Sequence, residues 1–139
     1  MGSLLIDSSA RADFQQLYDT DKFAAAKIAE FIRQAKLTPA LLDTFTQQGH
    51  GEAGADAHYV GMWQEQQRQG RNLWRVSLWE VDSTTRVAYR IIYAFDPPDR
   101  HIILGVAKHD GIPTDFYDDN AHPFTQRIID IYDRKFRRR

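Results

Sequence analysis

The sequence YRIIYAFDPPDRHIILGVAKH, residues 89–109, carries the clearest structural signal in this chain. It contains two runs rich in Ile, Val and Tyr, the residues that suit a pleated, half-buried strand. The turn-forming residues DPPD (96–99) separate the runs, and so short a link joins antiparallel neighbours but cannot make a parallel crossover. The sequence therefore predicts a β-hairpin whose strands cover about residues 87–95 and 101–107.

A third strand precedes this hairpin, because the period of the side-chain pattern changes to two at Leu73. Leu73, Arg75 and Ser77 fall on one side of an extended chain, and Trp74 falls on the other. The residues DSTT (82–85) then provide a turn before the hairpin. We therefore predict a three-strand antiparallel meander, in which Trp74 packs into the core rather than stacking on a base.

Helical spacing dominates the first third of the chain. Apolar residues recur at intervals of three or four over residues 9–18, where Ser8 or Ser9 is expected to cap the first turn. A second amphipathic helix begins after Asp21, and Thr38 followed by proline is the pattern that starts a third, short helix. These segments predict a helical hairpin with one further helical turn.

The remaining segments complete the order of elements. Residues 47–56 contain three glycines and almost no large apolar residue, which is typical of a loop. Residues 58–71 have no clear period, so we predict neither a helix nor a strand there. A last amphipathic helix follows His122-Pro123. The predicted fold class is α+β: an N-terminal helical hairpin packed on a small antiparallel β-meander, with a C-terminal helix.

Length and composition predict a single domain that covers residues 1–139. The chain is 42% hydrophobic and 27% charged, the balance of a globular protein rather than a disordered or membrane-spanning one. No apolar run approaches the roughly 18 residues that cross a bilayer, and no signal peptide is visible. The lack of cysteine excludes disulfides and thiolate metal sites and is typical of a reducing compartment. We therefore expect a cytoplasmic protein without membrane contacts.

The charge of the chain is balanced overall but differs between its halves. The net charge is −1, with six Lys/Arg and nine Asp/Glu in residues 1–70 against twelve and ten in residues 71–139. Residues 134–139, RKFRRR, form a basic tail, and such a tail is more often solvated than a binding site. Residues 1–8 contain either an edge strand at about 4–7 or the remnant of an expression tag.

Two arginines in the middle of predicted strands are the first candidates for a functional role. Arg75 and Arg90 both lie among apolar neighbours, where a charged side chain is unusual unless it is paired or lines a cleft. If the two strands are adjacent, their guanidinium groups can share an anion such as a phosphate, which guanidinium binds with two parallel hydrogen bonds. The alternative, which the sequence supports equally, is a local ion pair with Glu80 or Asp82.

Polar residues with acid–base chemistry follow the third strand. They are Lys108, His109 and Asp110, and then a second group that includes Tyr117 and His122. A histidine exchanges a proton near neutral pH, a lysine stabilises negative charge, and a tyrosine stacks on a base. These are the groups that metal-free RNA cleavage needs, although a histidine at a strand end is more often a surface residue.

A metal site has less support in the sequence. His50 and His58 with Glu52 and Asp56 do not have the spacing of a compact metal site, and the segment is rich in glycine. The chain also lacks a phosphate-binding glycine loop with a following lysine, a GxSxG elbow and an HExxH helix. We therefore predict no metal and no other cofactor.

Four stretches of the chain resemble the RelE/ParE superfamily of type II toxins, in particular its RelE/HigB-like mRNA interferases. They are LWRV (73–76), YRIIYAFDP (89–97), HIILGVAKHD (101–110) and FYDDNAHPFTQRII (116–129), and the second and third carry the most specific similarity. The similarity runs from about residue 10 to residue 133. It implies a RelE-like, microbial RNase-type fold and a toxin that inhibits translation by cutting mRNA in the ribosome without a metal. The implied partners are a cognate antitoxin protein, with which the toxin forms a hetero-oligomer, the ribosome and mRNA.

The resemblance also implies roles for individual residues. Arg75 and Arg90 match basic positions of the first two meander strands, which bind phosphate and stabilise charge. His109 matches a position after the third strand that transfers a proton, and Tyr117 matches a tyrosine that stacks on or orients the RNA. The implied catalytic residues are thus Arg75, Arg90, His109 and Tyr117, and the implied RNA-binding residues are Arg86, Lys108 and His122.

Two features depart from the RelE pattern. RelE carries a lysine, proposed as the base, at the position of Ser77, so another base such as His109, His122 or Glu80 is needed here. The net charge of −1 also differs from the strongly basic character of ribosome-directed toxins, whose affinity for RNA is largely electrostatic. Two alternatives therefore remain open: a ParE-like, partner-binding inhibitor of DNA gyrase, and an inactive relative that binds only its antitoxin.

Overall fold

A computed structural model describes residues 2–47, 49–50, 58–79, 86–108 and 123–136, with backbone alone at 49–50, 58–59, 78–79, 86–89 and 107–108. The fold is α+β and contains a mixed sheet with helices. In chain order the elements are β1 (Ser3–Ile6), α1 (Ser8–Thr20), α2 (Lys22–Leu37), α3 (Pro39–Asp43), a 3-10 turn (Thr44–Thr46), β2 (Gly49–His50), β3 (His58–Met62), α4 (Gln64–Arg68), β4 (Leu73–Trp79), β5 (Arg86–Asp96), β6 (Arg100–Lys108) and α5 (Pro123–Phe136).

Within the described residues, the sheet has six strands in the order β1-β6-β5-β4-β3-β2. Its centre is the predicted antiparallel meander of β4, β5 and β6, which is confirmed. The sheet is larger than the predicted meander, because β3 adds to β4 and β1 pairs in parallel with β6. For residues 1–8 the sequence left open an edge strand or a tag remnant, and the edge strand is present as β1. All four residues of β1 pair with β6. A strand this short is not stable alone, so its stability comes from this pairing with the rest of the sheet.

The N-terminal helices begin at carboxylate caps. The Asp21 side chain accepts a hydrogen bond from the Ala24 amide at 3.1 Å, which confirms the predicted cap of α2. The predicted serine cap of α1 is wrong, since the cap is Asp7, whose side chain accepts from the Ser9 amide at 3.0 Å. The Asp7 carboxylate, one residue before Ser8, binds the free amide groups of the first turn. The prediction considered only serine as the cap and therefore placed the start of the helix one residue too late.

Apolar side chains cover both faces of the sheet. On one face, α1, α2 and α3 pack over buried residues that include Trp74, Val76, Ile91, Tyr93 and Ile103. Trp74 is buried, as predicted. On the other face, α5 packs over a second cluster that includes Leu73, Ile92, Ala94, Ile102 and Leu104. The alternation of β4 and β5 thus divides their side chains between two cores, as the period-two pattern predicts.

The last helix is held to the rest of the domain by ion pairs. Arg127 Nη1 donates to Asp13 Oδ1 at 2.9 Å, and Lys135 Nζ lies 3.1 Å from Asp7 Oδ1. Arg71 binds Asp133 through both its Nε and Nη2 atoms at 3.0 Å. Helix α5 includes Lys135 and ends at Phe136, so the first half of the predicted basic tail is helical and residues 137–139 lie outside the described part. Across the described ranges, no helix is both long and apolar enough to span a bilayer.

Candidate functional site

The register of β4 and β5 brings the two predicted arginines to the same face of the sheet. Ser77 lies opposite Arg90, and Arg75 lies opposite Ile92. Residues that face each other in an antiparallel pair point to the same side, so Arg75, Ser77 and Arg90 share the face that α5 covers further along. Arg75 and Arg90 are diagonal neighbours, and such positions are typically about 7–8 Å apart. The two arginines are therefore neighbouring positions on one face of the sheet.

Strand β3 positions the guanidinium of Arg75. Its Nη1 donates to the carbonyl oxygen of Met62 at 2.9 Å. Gly61 lies opposite Arg75 across β3 and β4, and a Cβ atom at Gly61 would stand only 3.0 Å from Arg75 Cζ. The missing side chain therefore lets the guanidinium lie over β3, and the carbonyl bond fixes its orientation.

The other members of this face are buried. Arg90 is 6% exposed and Ser77 is 1% exposed. Within the described residues, the Ser77 hydroxyl has no hydrogen-bond partner. A guanidinium keeps its charge at all accessible pH values, and a buried charge interacts more strongly with an opposite charge than one in water does. A carboxylate or phosphate beside the buried Arg90 would therefore be bound more strongly than the same group beside an exposed arginine.

The other predicted site residues are described only in part. Arg86 lies opposite Trp79, and Lys108 lies opposite Tyr89, next to Arg90, but only their backbone is described. The remaining predicted residues, and the carboxylates of the alternative ion pairs, lie outside the described residues; they are His109, Tyr117, His122, Glu80 and Asp82. The register pairs Arg90 with Ala107, so among the predicted residues with described backbone Lys108 is one position out of step with Arg75 and Arg90.

Two histidines of the metal site against which the sequence argues lie on neighbouring strands. His50 belongs to β2 and His58 to β3, and these strands pair with each other. Their side chains are not described, and Glu52 and Asp56 lie outside the described residues. Among the side chains that the structure describes, no group of three or more His, Asp or Glu residues is arranged to hold a metal ion.

A buried histidine is a feature that the sequence reasoning missed. His101 is 4% exposed and packs against the rings of Phe45, Tyr93 and Phe95. Its Nδ1 lies 3.3 Å from the carbonyl oxygen of Ser3 on β1. Burial lowers the pKa of His101, and the Ser3 carbonyl opposes that shift only in part. The alternation of β6, which puts residue 101 on the side of the buried Ile103, could have indicated this position.

A groove between α1 and α2 is the second feature that was missed. It has a volume of about 620 Å³ and is lined by residues of both helices and by Ile6 of β1. Its walls carry Phe14, Ile32 and several alanines. Alanines at helical spacing also suit a closely packed core, so the sequence pattern alone does not distinguish an open groove from a closed interface.

Comparisons of the chain with protein-family models, with curated proteins and with solved structures found no match. The RelE/ParE resemblance therefore depends on the four sequence stretches quoted above, and it stays a prediction.

Proposed function

We propose that this chain is the toxin of a type II toxin–antitoxin pair and acts as a ribosome-dependent, metal-independent endoribonuclease on mRNA. The observation that supports the proposal most is the shared face of Arg75 and Arg90 on neighbouring strands. Each guanidinium matches the geometry of a phosphate, which it can bind with two parallel hydrogen bonds. A phosphodiester of RNA contains such a phosphate group.

The proposed reaction needs a charge clamp, an acid and a base. The 2′-hydroxyl attacks the adjacent phosphorus and gives its proton to the base, while the bond to the leaving 5′-oxygen breaks. Arg75 and Arg90 stabilise the charge that develops on the phosphoryl oxygens. His109 donates a proton to the leaving oxygen, and Tyr117 stacks on a base of the RNA.

The base is one of the groups that follow a strand of the meander rather than Ser77. The Ser77 side chain is 1% exposed, and an alcohol does not accept a proton readily at neutral pH. With His109 as the acid, His122 and Glu80 remain as candidates for the base. In this proposal Arg86, Lys108 and His122 contact the RNA backbone, and they lie at or beyond the ends of β5 and β6.

The proposed setting is the cytoplasm, where the toxin meets ribosomes and mRNA. A cognate antitoxin protein neutralises it in a toxin–antitoxin hetero-oligomer. An acidic segment of such a partner that covers Arg75 and Arg90 would block the site by charge, because it takes the place of the RNA phosphate.

Induction in a bacterial host tests the proposal. We expect the wild type to stop growth and to produce new 5′ ends within translated transcripts, and Arg75→Ala to do neither. Arg100→Ala is the matched control, because Arg100 is an exposed strand arginine that pairs with Asp96 at the far end of the sheet. Equal toxicity and equal transcript cleavage by Arg75→Ala would contradict the assigned site.

A second candidate function is the ParE-like inhibition of DNA gyrase through partner binding. The burial of Ser77 favours it, because the position of the proposed RelE base carries no basic group and is closed to solvent. Induction would then trigger DNA damage signalling while transcripts stay intact. A wild type that is harmless at high expression would instead indicate an inactive relative that binds only its antitoxin.

A further inference from the structure

Arg127 of α5 reaches the face of the sheet that carries Arg75 and Arg90, which we call the arginine face. Its guanidinium lies against Gly105 of β6, where an added Cβ would stand 2.8 Å from Nη2. Gly105 lies opposite Ile92, two residues from Arg90 on β5. Gly105 and Arg90 are therefore diagonal neighbours on one face, and such positions are typically about 7–8 Å apart. Helix α5 thus adds a third arginine to this face.

A matching arrangement lies on the other side of the arginine face. Gly61 of β3, Arg75 of β4 and Gly105 of β6 belong to one row across the sheet. The Arg75 guanidinium lies against Gly61, where an added Cβ would stand 3.0 Å from Cζ. Neighbouring strands are about 4.8 Å apart, so the two glycines are roughly 14 Å apart. Strand β5, which carries Arg90, lies between the guanidinium groups of Arg75 and Arg127.

Asp13 of α1 fixes the Arg127 guanidinium. Its Oδ1 accepts from Nη1 at 2.9 Å, and its Oδ2 accepts from Nη2 at 2.5 Å. The Oδ2 atom also accepts from the Val106 amide at 2.9 Å, so the carboxylate is itself bound to β6. Arg127 Cζ lies over the ring of Phe124, 5.0 Å from the ring centroid. A guanidinium held in this way has little conformational freedom left to lose when it binds a ligand.

The two members of this ion pair differ in exposure. The Arg127 side chain is 35% exposed, whereas the Asp13 side chain is 12% exposed. A guanidinium has five N–H groups, and Asp13 accepts one from each terminal nitrogen. Nη1 and Nη2 each keep a second N–H, and among the described residues Asp13 is the only acceptor that bonds to Arg127. The solvent side of the pair therefore presents hydrogen-bond donors.

We propose that Arg127 is a further RNA-binding residue, which contacts a phosphate next to the scissile one. The proposal rests on the nuclease function proposed above and adds a path for its substrate. The RNA strand crosses the strands of the sheet, from Arg75 on the β3 side, past Arg90, to Arg127 on the β6 side. A phosphate oxygen accepts from the remaining N–H groups while Asp13 keeps its own bonds.

The Asp13 carboxylate sets the strength of this contact, because its charge offsets part of the charge of Arg127. Asp13→Asn removes that offset and keeps an amide oxygen that accepts from the guanidinium, so RNA should bind more tightly. Arg127→Met removes the cation, so RNA should bind more weakly. A purely structural pair predicts the same direction for both variants, since either change weakens the same contact between α1 and α5.

Binding of RNA to the full chain tests these opposite signs. The probe is a fluorescent single strand of roughly ten nucleotides, with every 2′-hydroxyl methylated so that it cannot be cut. We expect Arg127→Met to bind it at least about fivefold more weakly than the wild type. The slope of log K against log salt should also fall by about 0.7, the value of one phosphate contact on a single strand. We expect Asp13→Asn to bind at least about twofold more tightly.

Arg71→Met is the matched control. Arg71 also ties α5 to the domain, through bonds from Nε and Nη2 to Asp133 at 3.0 Å, and its side chain is 11% exposed. The control therefore removes one arginine and one ion pair of α5 away from the row of Gly61 and Gly105. We expect it to bind the RNA like the wild type. Circular dichroism checks that all variants are folded at the assay temperature.

Four results would overturn the inference: no binding of the RNA by the wild type, no loss of affinity and salt slope in Arg127→Met, binding by Asp13→Asn no tighter than the wild type, or an equal loss in Arg71→Met. The assay does not involve cleavage. Binding that depends on Arg127 without cleavage of mRNA would count against the nuclease proposal alone. Cleavage of mRNA with binding that Arg127→Met leaves unchanged would count against this inference alone.

Discussion

Ser77 lies directly opposite Arg90 across β4 and β5, and it is separated from Arg75 by a single residue on its own strand. The three side chains therefore share one face of the sheet, where one small hydroxyl lies between two guanidinium positions. The Ser77 side chain is 1% exposed, so its hydroxyl lies in the interior of the domain beside Arg90 rather than in an open space.

Gly61→Ala is expected to weaken RNA cleavage without removing any charge. The added Cβ would stand 3.0 Å from Arg75 Cζ, so the guanidinium must shift relative to the Met62 carbonyl that orients it. We expect a loss of activity of about tenfold or more at unchanged thermal stability. Cleavage of a reporter mRNA in a purified translation system measures it. Unchanged activity would show that the position of Arg75 does not matter to the reaction.

Tyr93→Phe is expected to lower the free energy of unfolding by about 1–3 kcal/mol. The buried Tyr93 hydroxyl donates to the Phe45 carbonyl oxygen at 2.6 Å, which ties the helical layer to the sheet. Removing the hydroxyl leaves that carbonyl without this donor. Urea unfolding provides the measurement, and Tyr18→Phe on the exposed helix surface is the control that should show no change. Equal stability of Tyr93→Phe and the wild type would contradict the importance of this bond.

His101 is expected to make the domain less stable as the pH falls below histidine's ordinary pKa. Burial lowers the pKa of His101 in the folded state, so below about pH 6.5 the unfolded chain binds the proton more readily. The contribution of His101 is thus complete above that pH and is lost as the pH falls towards the folded-state pKa. Asp43 and Asp99 oppose the shift but do not reverse it.

Unfolding in urea at about pH 7.5 and about pH 5.5 tests this dependence. The wild type should lose more stability between the two values than His101→Gln, which has no titrating group at this position. The difference between the two proteins isolates His101 from every other titratable residue. An identical loss in both would show that His101 does not contribute to the pH dependence.

Asp13→Asn is expected to destabilise the domain by about 1–3 kcal/mol. One Asp13 oxygen accepts from Arg127 of α5 at 2.9 Å, and the other accepts from the Val106 amide of β6 at 2.9 Å. The amide variant keeps only one acceptor and loses the charge that balances Arg127. Glu30→Gln removes a carboxylate from an exposed pair and should have no measurable effect. Thermal unfolding of the two variants compares them directly.

The sequence was sufficient to predict the central sheet and its faces. The period of two in β4 and β5 separates Trp74 from Arg75 and places Arg90 on the side of Ile92, and the register agrees. The helical hairpin is also predictable, because each helix has a continuous apolar stripe and a capping residue before it. In these elements the local pattern and the tertiary environment favour the same structure.

The elements that the sequence did not predict depend on tertiary contacts. Residues 58–71 contain β3 and α4, each five residues long, and the glutamines there suggest exposure although Gln66 is fully buried. The parallel pairing of β1 with β6 joins residues nearly a hundred positions apart, and a local sequence periodicity cannot indicate such a pairing. His101 likewise becomes buried through three rings, one from the 3-10 turn and two from β5. Short elements and burial by distant residues therefore depend on tertiary contacts and not on the local sequence pattern.

Cleavage of an mRNA by Arg75→Ala in a purified translation system tests the central claim most directly. We expect Arg75→Ala to cleave at least about a hundredfold more slowly than the wild type, which is the usual effect of removing one group that stabilises charge in the transition state. Arg100→Ala should cleave at the wild-type rate. Circular dichroism confirms that both variants are folded. Cleavage at the wild-type rate by a folded Arg75→Ala protein would contradict the claim that Arg75 and Arg90 bind the scissile phosphate.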